Sequence, residues 1–187
     1  MATRYRFGDS ERPHFITFSV IEWIDVFNRE CYKEILTDSI KFSIANKGLT
    51  VHAWVIMPNH VHMIVSAKPE HELMGIIRDI KKFTSRMIIK AIEDNVQESR
   101  KHWMLWLFKS AGSKNSNNNE YQFWQQDNHP IELTTDGMIG QRLNYLHENP
   151  VKAGLVWEPA DYKYSSAIDY YKQESGLIEI ELLIYTG

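Results

Sequence analysis

The spacing of apolar residues predicts a strand, a helix and a β-hairpin in the first part of the chain. Residues 14–20 are rich in aromatic and β-branched side chains, which favours a first strand. Residues 30–46 carry isoleucines among polar groups and stop just before a glycine, as helices often do. Residues 49–56 and 60–66 predict two further strands, joined by the tight turn Met57-Pro58-Asn59.

Residues 72–93 show the clearest helical periodicity. Their apolar side chains recur at i, i+3, i+4 and i+7, which predicts an amphipathic helix that buries this stripe. The predicted stripe consists of Leu73, Ile76, Ile77, Ile80, Phe83, Met87 and Ala91.

The next segment, about residues 97–120, is predicted to be a flexible insert. Residues 110–119 are mostly serine, asparagine and glycine, too polar to bury anything, and indicate a loop. Residues 103–108 are apolar enough to need cover, but their pattern does not separate helix from strand. They could pack on a partner chain.

The last third predicts one long helix between shorter elements. Residues 121–126 indicate a strand, and Thr134-Thr135-Asp136 offers N-cap side chains for a helix over 137–148. Asn149-Pro150 is expected to end that helix, because the residue before proline is pushed out of helical geometry. Beyond it, the sequence predicts a turn and short helix at 162–171 and an edge strand at 176–181.

The order β-α-β-β-α-β matches the split βαβ arrangement, which is an α+β fold with an antiparallel sheet and two helices on one face. The chain length of 187 residues predicts a single domain, 1–187. The other face of the sheet is then available for a site.

Composition narrows the class of protein. The apolar content of 43% is typical of a globular protein, and no stretch reaches the roughly 18 uninterrupted apolar residues of a membrane span. The N-terminus lacks a secretory pattern, and Cys31 as the sole cysteine allows no internal disulfide. These features predict a soluble cytoplasmic protein. The net charge of −3 counts mildly against a nucleic-acid partner, although residues 78–90 are locally basic.

His60 and His62 are the first candidate site residues. Side chains alternate along a strand, so both imidazoles project to the same side, about 7 Å apart along the chain, and can reach one metal ion. Val61, Met63 and Val65 form the opposite face, which suits packing against the helices. Histidines on an exposed strand are more often packing residues than ligands, so both interpretations stay open.

Tyr145 and Asn149 form a second candidate pair, on the helix over 137–148. Leu143 and Leu146 belong to its buried stripe, and at 100° per residue Tyr145 lies about 120° from that stripe. Asn149 falls within about 40° of Tyr145. The pair could overhang a neighbouring sheet, or Tyr145 could be an interfacial aromatic and Asn149 a helix cap.

Taken together, these motifs resemble a known family. Met57-Pro58-Asn59-His60-Val61-His62-Met63-Ile64-Val65 is similar to the histidine-hydrophobe-histidine (HUH) strand of single-tyrosine transposases. Tyr145-Leu146-His147-Glu148-Asn149-Pro150-Val151-Lys152 resembles the catalytic-tyrosine helix of their REP-associated branch. Residues 78–85, 123–126 and 164–167 add further likeness. The resemblance covers about residues 12–171.

The resemblance implies a ferredoxin-like α+β fold, often dimeric, that carries an extra tyrosine-bearing helix. It also implies cleavage and rejoining of single-stranded DNA beside a hairpin through a covalent 5′-phosphotyrosine. His60 and His62 would hold a divalent metal, Mg²⁺ or Mn²⁺, and Tyr145 would be the nucleophile. Asn149 would be the third ligand, although the insertion-sequence relatives often have the longer glutamine there.

Single-stranded DNA is held by positive charge along its phosphates and by aromatic rings against its bases. The basic candidates for phosphate binding are Lys81, Lys82, Arg86 and Lys152. Trp54 and Trp124 are candidates for stacking, though buried packing is the favoured role for both. If the turn pairs Ile56 with His60, then His52 and Trp54 share the face of the histidine pair. A surface role is favoured for His147.

Three other functions fit the same motifs. The first is a DNA-hairpin binding protein derived from a transposase, which would not cut. The second is a small metal-dependent phosphoesterase, whose activity would survive Tyr145→Phe because water replaces the tyrosine. The third is a structural dimerisation module with residues 103–108 at its interface and no metal.

Overall fold

The computed structural model describes residues 7–114, 120–126 and 128–185. Its centre is a four-stranded antiparallel sheet in the order β2-β3-β1-β4. The strands are β1 (His14–Ser19), β2 (Leu49–Ile56), β3 (His60–Ala67) and β4 (Ile131–Glu132). This order and the connections between the strands form the split βαβ arrangement, which confirms the predicted α+β fold.

Five α-helices surround the sheet in the described part of the chain: α1 (Glu30–Asn46), α2 (Leu73–Asp94), α3 (Lys101–Ser113), α4 (Asp136–Lys152) and α5 (Ala167–Tyr171). Short 3₁₀ turns lie at Ile21–Trp23, Val26–Asn28 and Pro159–Asp161. No helix among the described residues is both long and apolar enough to cross a membrane.

The two faces of the sheet carry different helices, because side chains alternate along each strand. On one face, residues such as Phe18, Trp54 and Met63 are fully buried in a core shared with α1 and α2. On the other face, Phe15 and Ile64 belong to a smaller apolar cluster with residues of α4. The extra helix therefore covers the face that α1 and α2 leave open.

Helix α1 ends as the sequence predicts. Gly48 follows it with φ +69°, a left-handed conformation that glycine adopts without steric cost. A Cβ at this position would lie 2.4 Å from the ring of His71. Both the backbone conformation and the close ring thus require glycine here.

Helix α2 is found where periodicity predicts it, but its buried stripe is rotated in the second half. Phe83 and Met87 are 53% and 40% exposed, whereas Thr84 and Ile88 are fully buried. The Thr84 hydroxyl donates to the Ile80 carbonyl and accepts from Trp124 Nε1 at 3.1 Å. A polar side chain can therefore occupy the core because its hydrogen bonds are satisfied.

Helix α3 resolves the ambiguous segment and shortens the predicted loop. Residues 103–108 are helical, with Met104 and Phe108 buried and Trp106 exposed. The helix continues to Ser113, so the loop prediction is wrong for residues 110–113. Residues 115–119 lie outside the described part of the chain.

The predicted strand over 121–126 is wrong. Trp124 forms a single bridge with Val20, and the fourth strand is instead the short β4. Phe123 and Trp124 are neighbours in sequence and both are buried, which the alternating pleat of a strand does not allow on one face.

Helix α4 begins at the predicted cap, where the Thr135 side chain accepts from the Met138 N–H. The expected stop at Asn149-Pro150 is wrong, because the helix runs through Pro150 to Lys152. Gly154, at φ +70°, follows the helix end and accommodates the left-handed turn there. The extra turn keeps Asn149 within the helix.

The predicted edge strand over 176–181 is also wrong. The described tail meets β2 through a hydrogen bond from the Glu181 N–H to the Val51 carbonyl. Residues 164–166 cover the edge of β2 instead: the Ile56 N–H donates to the Tyr164 carbonyl, and the Ser166 N–H donates to the Trp54 carbonyl. The predicted short helix before the tail is confirmed by α5.

Candidate active site

Strand β3 brings His60 and His62 together on the face of the sheet that α4 covers. Their ring centroids are 4.7 Å apart. His62 is 4% exposed and His60 is half-buried. The alternation of the strand thus produces the close imidazole pair that the sequence predicts.

A neighbouring side chain binds the Nδ1 atom of each imidazole. His60 Nδ1 donates to Asn59 Oδ1 at 2.7 Å, and a 2.7 Å hydrogen bond joins His62 Nδ1 to the Thr17 hydroxyl. His62 Nε2 is buried without a hydrogen-bond partner among the described residues. A buried nitrogen without a partner is costly, and an imidazole fixed through Nδ1 with Nε2 unpaired is the usual arrangement of a metal ligand. The pair therefore fits a metal ion.

Burial keeps both imidazoles neutral. Desolvation, with smaller contributions from His60 and Arg142, lowers the pKa of His62 to about 3. Burial also lowers the pKa of His60. Near neutral pH both rings consequently keep a nitrogen lone pair, which metal coordination requires.

Helix α4 holds Tyr145 above this pair. Leu143 and Leu146 anchor the helix in the apolar cluster, while Tyr145 remains 41% exposed. The Tyr145 ring centroid lies 5.2 Å from that of His62 and 6.0 Å from that of Phe15. Among the described residues, none hydrogen-bonds to the Tyr145 hydroxyl. The phenol is thus both next to a candidate metal ligand and open to solvent.

Asn149 lies one turn further along α4. Its Nδ2 donates to the Tyr145 carbonyl at 2.8 Å, so its amide group is oriented by its own helix. The amide oxygen is the atom that could serve as a ligand. No group of three or more histidine, cysteine or acidic side chains able to hold a metal occurs in the described residues.

Two cations flank Tyr145. The Arg142 guanidinium lies 5.2 Å from the Phe15 ring centroid, and its charge contributes to the low pKa of His62. Lys152 Nζ is 6.0 Å from the centroid of the Tyr145 ring. Arg142 was not among the predicted site residues. Its position three residues before Tyr145 on the same helix places the two side chains on neighbouring positions of one face, so the sequence could have indicated it.

Comparison with known proteins identifies the family. The profile of the family described as "Transposase IS200 like" matches residues 13–126, more than half of the chain.

The chain belongs to the IS200-like transposase family.

One solved structure extends the likeness in fold over the whole chain. A REP-associated tyrosine transposase bound to a REP hairpin is 16% identical with a TM-score of 0.66, covering 100% of this chain and 96% of that chain. A candidate transposase from Deinococcus radiodurans R1 is 18% identical with a TM-score of 0.45, covering 78% and 96%. No curated protein matches the chain. The matched profile includes the histidine pair of this transposase, whereas α4 lies outside it.

The proposed DNA-binding residues of the transposase are not gathered at the histidine pair. Lys81 Nζ is engaged within the fold, donating to the Gln125 carbonyl and to Asn128 Oδ1. Lys82 and Arg86 are exposed on α2, which packs against the opposite face of the sheet. Lys152 alone of the four predicted cations lies beside Tyr145.

The expected pairing of Ile56 with His60 is wrong, because Ile56 pairs with Val61. Trp54 therefore points into the core between the sheet and α1 and α2, where it is fully buried. Its predicted packing role, like that of the buried Trp124, agrees with this position. His52 hydrogen-bonds to Ser66 Oγ and to the Glu181 carbonyl, so contacts with the tail fix its ring.

The predicted surface role of His147 is also wrong. His147 is 1% exposed, and a 2.9 Å hydrogen bond joins its Nε2 to the Ser166 hydroxyl. Its ring lies 5.1 Å from that of Tyr170 on α5. His147 therefore helps to fix α4, and with it Tyr145, against the rest of the transposase.

Proposed function

We propose that this transposase cuts and rejoins single-stranded DNA beside a hairpin, with Tyr145 as the nucleophile. The observation that carries the proposal is the distance of 5.2 Å between the rings of Tyr145 and His62 in one chain. The candidate nucleophile and the candidate metal ligands thus lie together without a second subunit. This favours a reaction within one protomer.

The metal in this proposal is Mg²⁺ or Mn²⁺, held by His60 and His62 with Asn149 as the third ligand. Coordination positions left to water and phosphate suit these ions. When bound, such an ion would neutralise charge on a non-bridging phosphate oxygen. The unpartnered Nε2 of His62 supports a ligand at this position.

The cutting step needs a hydroxyl that can approach phosphorus. Tyr145 Oη loses its proton and attacks phosphorus, a new O–P bond forms and the bond from phosphorus to the 3′-oxygen breaks. The leaving 3′-oxygen takes up one proton and becomes the free 3′-hydroxyl, so the step neither gains nor loses protons overall. Arg142 and Lys152 offer positive charge to the phosphate from both sides of Tyr145. The phosphotyrosine conserves the energy of the broken ester, so attack by a second 3′-hydroxyl can rejoin a strand without ATP.

The proposed partner is DNA with a hairpin. Two features support it: the similar fold of a REP-associated tyrosine transposase bound to a REP hairpin, and the exposed cations Lys82 and Arg86 on α2. We also propose a homodimer, as the resemblance to single-tyrosine transposases implies. Light scattering that reports a monomer at all concentrations would reject the dimer.

The decisive experiment for the proposed chemistry is covalent trapping. The protein is incubated with labelled hairpin DNA bearing single-stranded flanks and with Mg²⁺ or Mn²⁺, then run on a denaturing gel. A protein–DNA band is expected for the wild type and should disappear in Tyr145→Phe and His62→Ala. Tyr171→Phe is the matched control, because Tyr171 is also exposed, at 52%.

Other results would separate the rival functions. A band that survives in Tyr145→Phe contradicts the role of Tyr145. Cleavage in Tyr145→Phe without a covalent band favours a phosphoesterase that uses water. Tight hairpin binding without any cleavage by the wild type favours a binding protein that has lost the reaction.

A further inference from the structure

A cavity of about 490 Å³ lies between the 3₁₀ turn at Ile21–Trp23 and α3. Trp23 and Trp106 line it together with Gln125, Lys114 and Glu22. Its size is typical of small-ligand sites, which run from roughly 300 to 1,000 Å³. The cavity thus combines flat aromatic surfaces with polar residues and one residue of each charge, Lys114 and Glu22.

Both indoles are exposed, as are those of Trp103 and Trp157. Trp23 is 57% exposed and Trp106 is 65% exposed. Trp54 and Trp124, by contrast, are buried in the core. Trp23 and Trp106 thus each keep more than half of their surface accessible to a flat ligand.

The turn that presents Trp23 is strained. Glu22 and Trp23 adopt φ of +50° and +54°, a left-handed conformation that costs energy for residues other than glycine. Hydrogen bonds hold it in place, including one from the Trp23 N–H to the Val20 carbonyl. Backbone strain of this kind is concentrated at ligand-binding sites.

One asparagine connects this turn to the candidate metal site. Asn59 Oδ1 accepts from His60 Nδ1 at 2.7 Å, and Asn59 Nδ2 donates to the Trp23 carbonyl at 3.2 Å. The Trp23 ring also contacts the His60 ring edge-on, with centroids 5.9 Å apart. Trp23 thus both contacts His60 and lines the cavity, so it connects the two sites.

We propose that this cavity binds an unpaired nucleobase of the DNA strand, next to the phosphate at the histidine pair, by stacking against Trp23 and Trp106. Every base has a flat π surface, so such stacking accepts any sequence. Because Glu22 and Lys114 carry opposite charges, stacking supplies the proposed attraction in this cavity. The proposal rests on the proposed function in taking single-stranded DNA as the ligand.

The test compares two strands of equal length and charge, oligothymidylate and an abasic strand, by fluorescence anisotropy of an end label. Wild type should bind oligothymidylate more tightly. Trp106→Ala should bind oligothymidylate about 5- to 150-fold more weakly than the wild type, as expected for the loss of one stacked base. Its affinity for the abasic strand should not change, and Trp106→Phe should retain most of the preference. Trp103→Ala is the matched control, since Trp103 lies on the same helix, is 49% exposed and does not line the cavity.

Equal binding of both strands by the wild type would overturn the proposal. So would an equal loss for both strands in Trp106→Ala, or the same loss of preference in Trp103→Ala. The result is separable from the chemistry at Tyr145. A wild type that forms the covalent adduct but has no preference for bases rejects the base pocket alone, whereas one that prefers bases and forms no adduct rejects the proposed cleavage alone.

Discussion

The buried imidazole of His147 makes the docking of α4 sensitive to pH. Burial lowers the pKa of His147 from 6.5 to about 4. As the pH falls below 6.5, the unfolded chain binds a proton that the folded protein does not, so unfolding becomes easier. The stabilising contribution is fully present above the unfolded pKa and is lost as the pH falls towards 4.

The size of this effect follows from the two pKa values. Between pH 7 and pH 5, the difference in proton binding at His147 lowers the free energy of unfolding by about 2 kcal/mol. His147→Gln removes the titration and can keep a hydrogen bond to Ser166. Ser166 Oγ also accepts from the Trp54 N–H at 2.9 Å, so the hydroxyl keeps a partner in either case.

The assay is urea denaturation of both proteins at pH 7 and pH 5. Between pH 7 and pH 5, the free energy of unfolding should fall by about 2 kcal/mol more in the wild type than in His147→Gln. Other buried histidines such as His52 and His62 contribute equally to both proteins, so the difference reports His147. His102→Gln, at an exposed position on α3, is the matched control for the chemical change. An identical loss of stability in wild type and His147→Gln would refute the reasoning.

Three further predictions concern DNA and metal. Arg142→Ala should slow single-turnover DNA cleavage by roughly tenfold to a hundredfold, because it removes a charged hydrogen-bond donor at the phosphate. Arg142→Lys should recover part of the rate. An unchanged rate in Arg142→Ala would exclude Arg142 from the site. Thr17→Val should weaken Mn²⁺ binding about 10- to 100-fold, because it removes the hydrogen bond to His62 Nδ1. Calorimetric titration measures this affinity, and an unaltered affinity for Mn²⁺ would contradict the ligand role of His62. The logarithm of the affinity for single-stranded DNA falls with the logarithm of the salt concentration. The double variant Lys82→Ala, Arg86→Ala should make this slope shallower by about 1.4. An unaltered slope would show that these two residues of α2 do not contact the strand.

Strands β1 to β3 and helices α1 and α2 could be predicted because one periodicity dominates each segment. The alternation in β3 was sufficient to place His60 and His62 on one side of the sheet. The rotated stripe of α2 could not be predicted, because apolar character alone favours Phe83 over Thr84. The buried position of Thr84 depends on its hydrogen bond from Trp124, which is 40 residues away in sequence.

The C-terminal end of α4 and the position of β4 were predicted wrongly for a related reason. Pro150 suggested a stop, but the left-handed conformation at Gly154 follows the actual helix end. Strand β4 is two residues long and pairs with β1 at the sheet edge, and so short a segment carries no readable alternation.

The hydrogen-bond partners of the candidate site residues could not be predicted from the sequence either. Thr17 reaches His62 through the pairing of β1 with β3. Asn59 was visible in the turn before β3, yet its two hydrogen bonds depend on the conformation at Trp23. Each of these contacts depends on strand register or backbone conformation, which residue types alone do not specify.

The central claim, that Tyr145 is the nucleophile, is tested most directly by locating the covalent bond. After trapping on hairpin DNA, nuclease and trypsin digestion should leave a nucleotide on the peptide of residues 143–152, in which Tyr145 is the sole tyrosine. Mass spectrometry that finds the nucleotide on this peptide agrees with the account. A nucleotide on a peptide carrying any of the other eight tyrosines would contradict it.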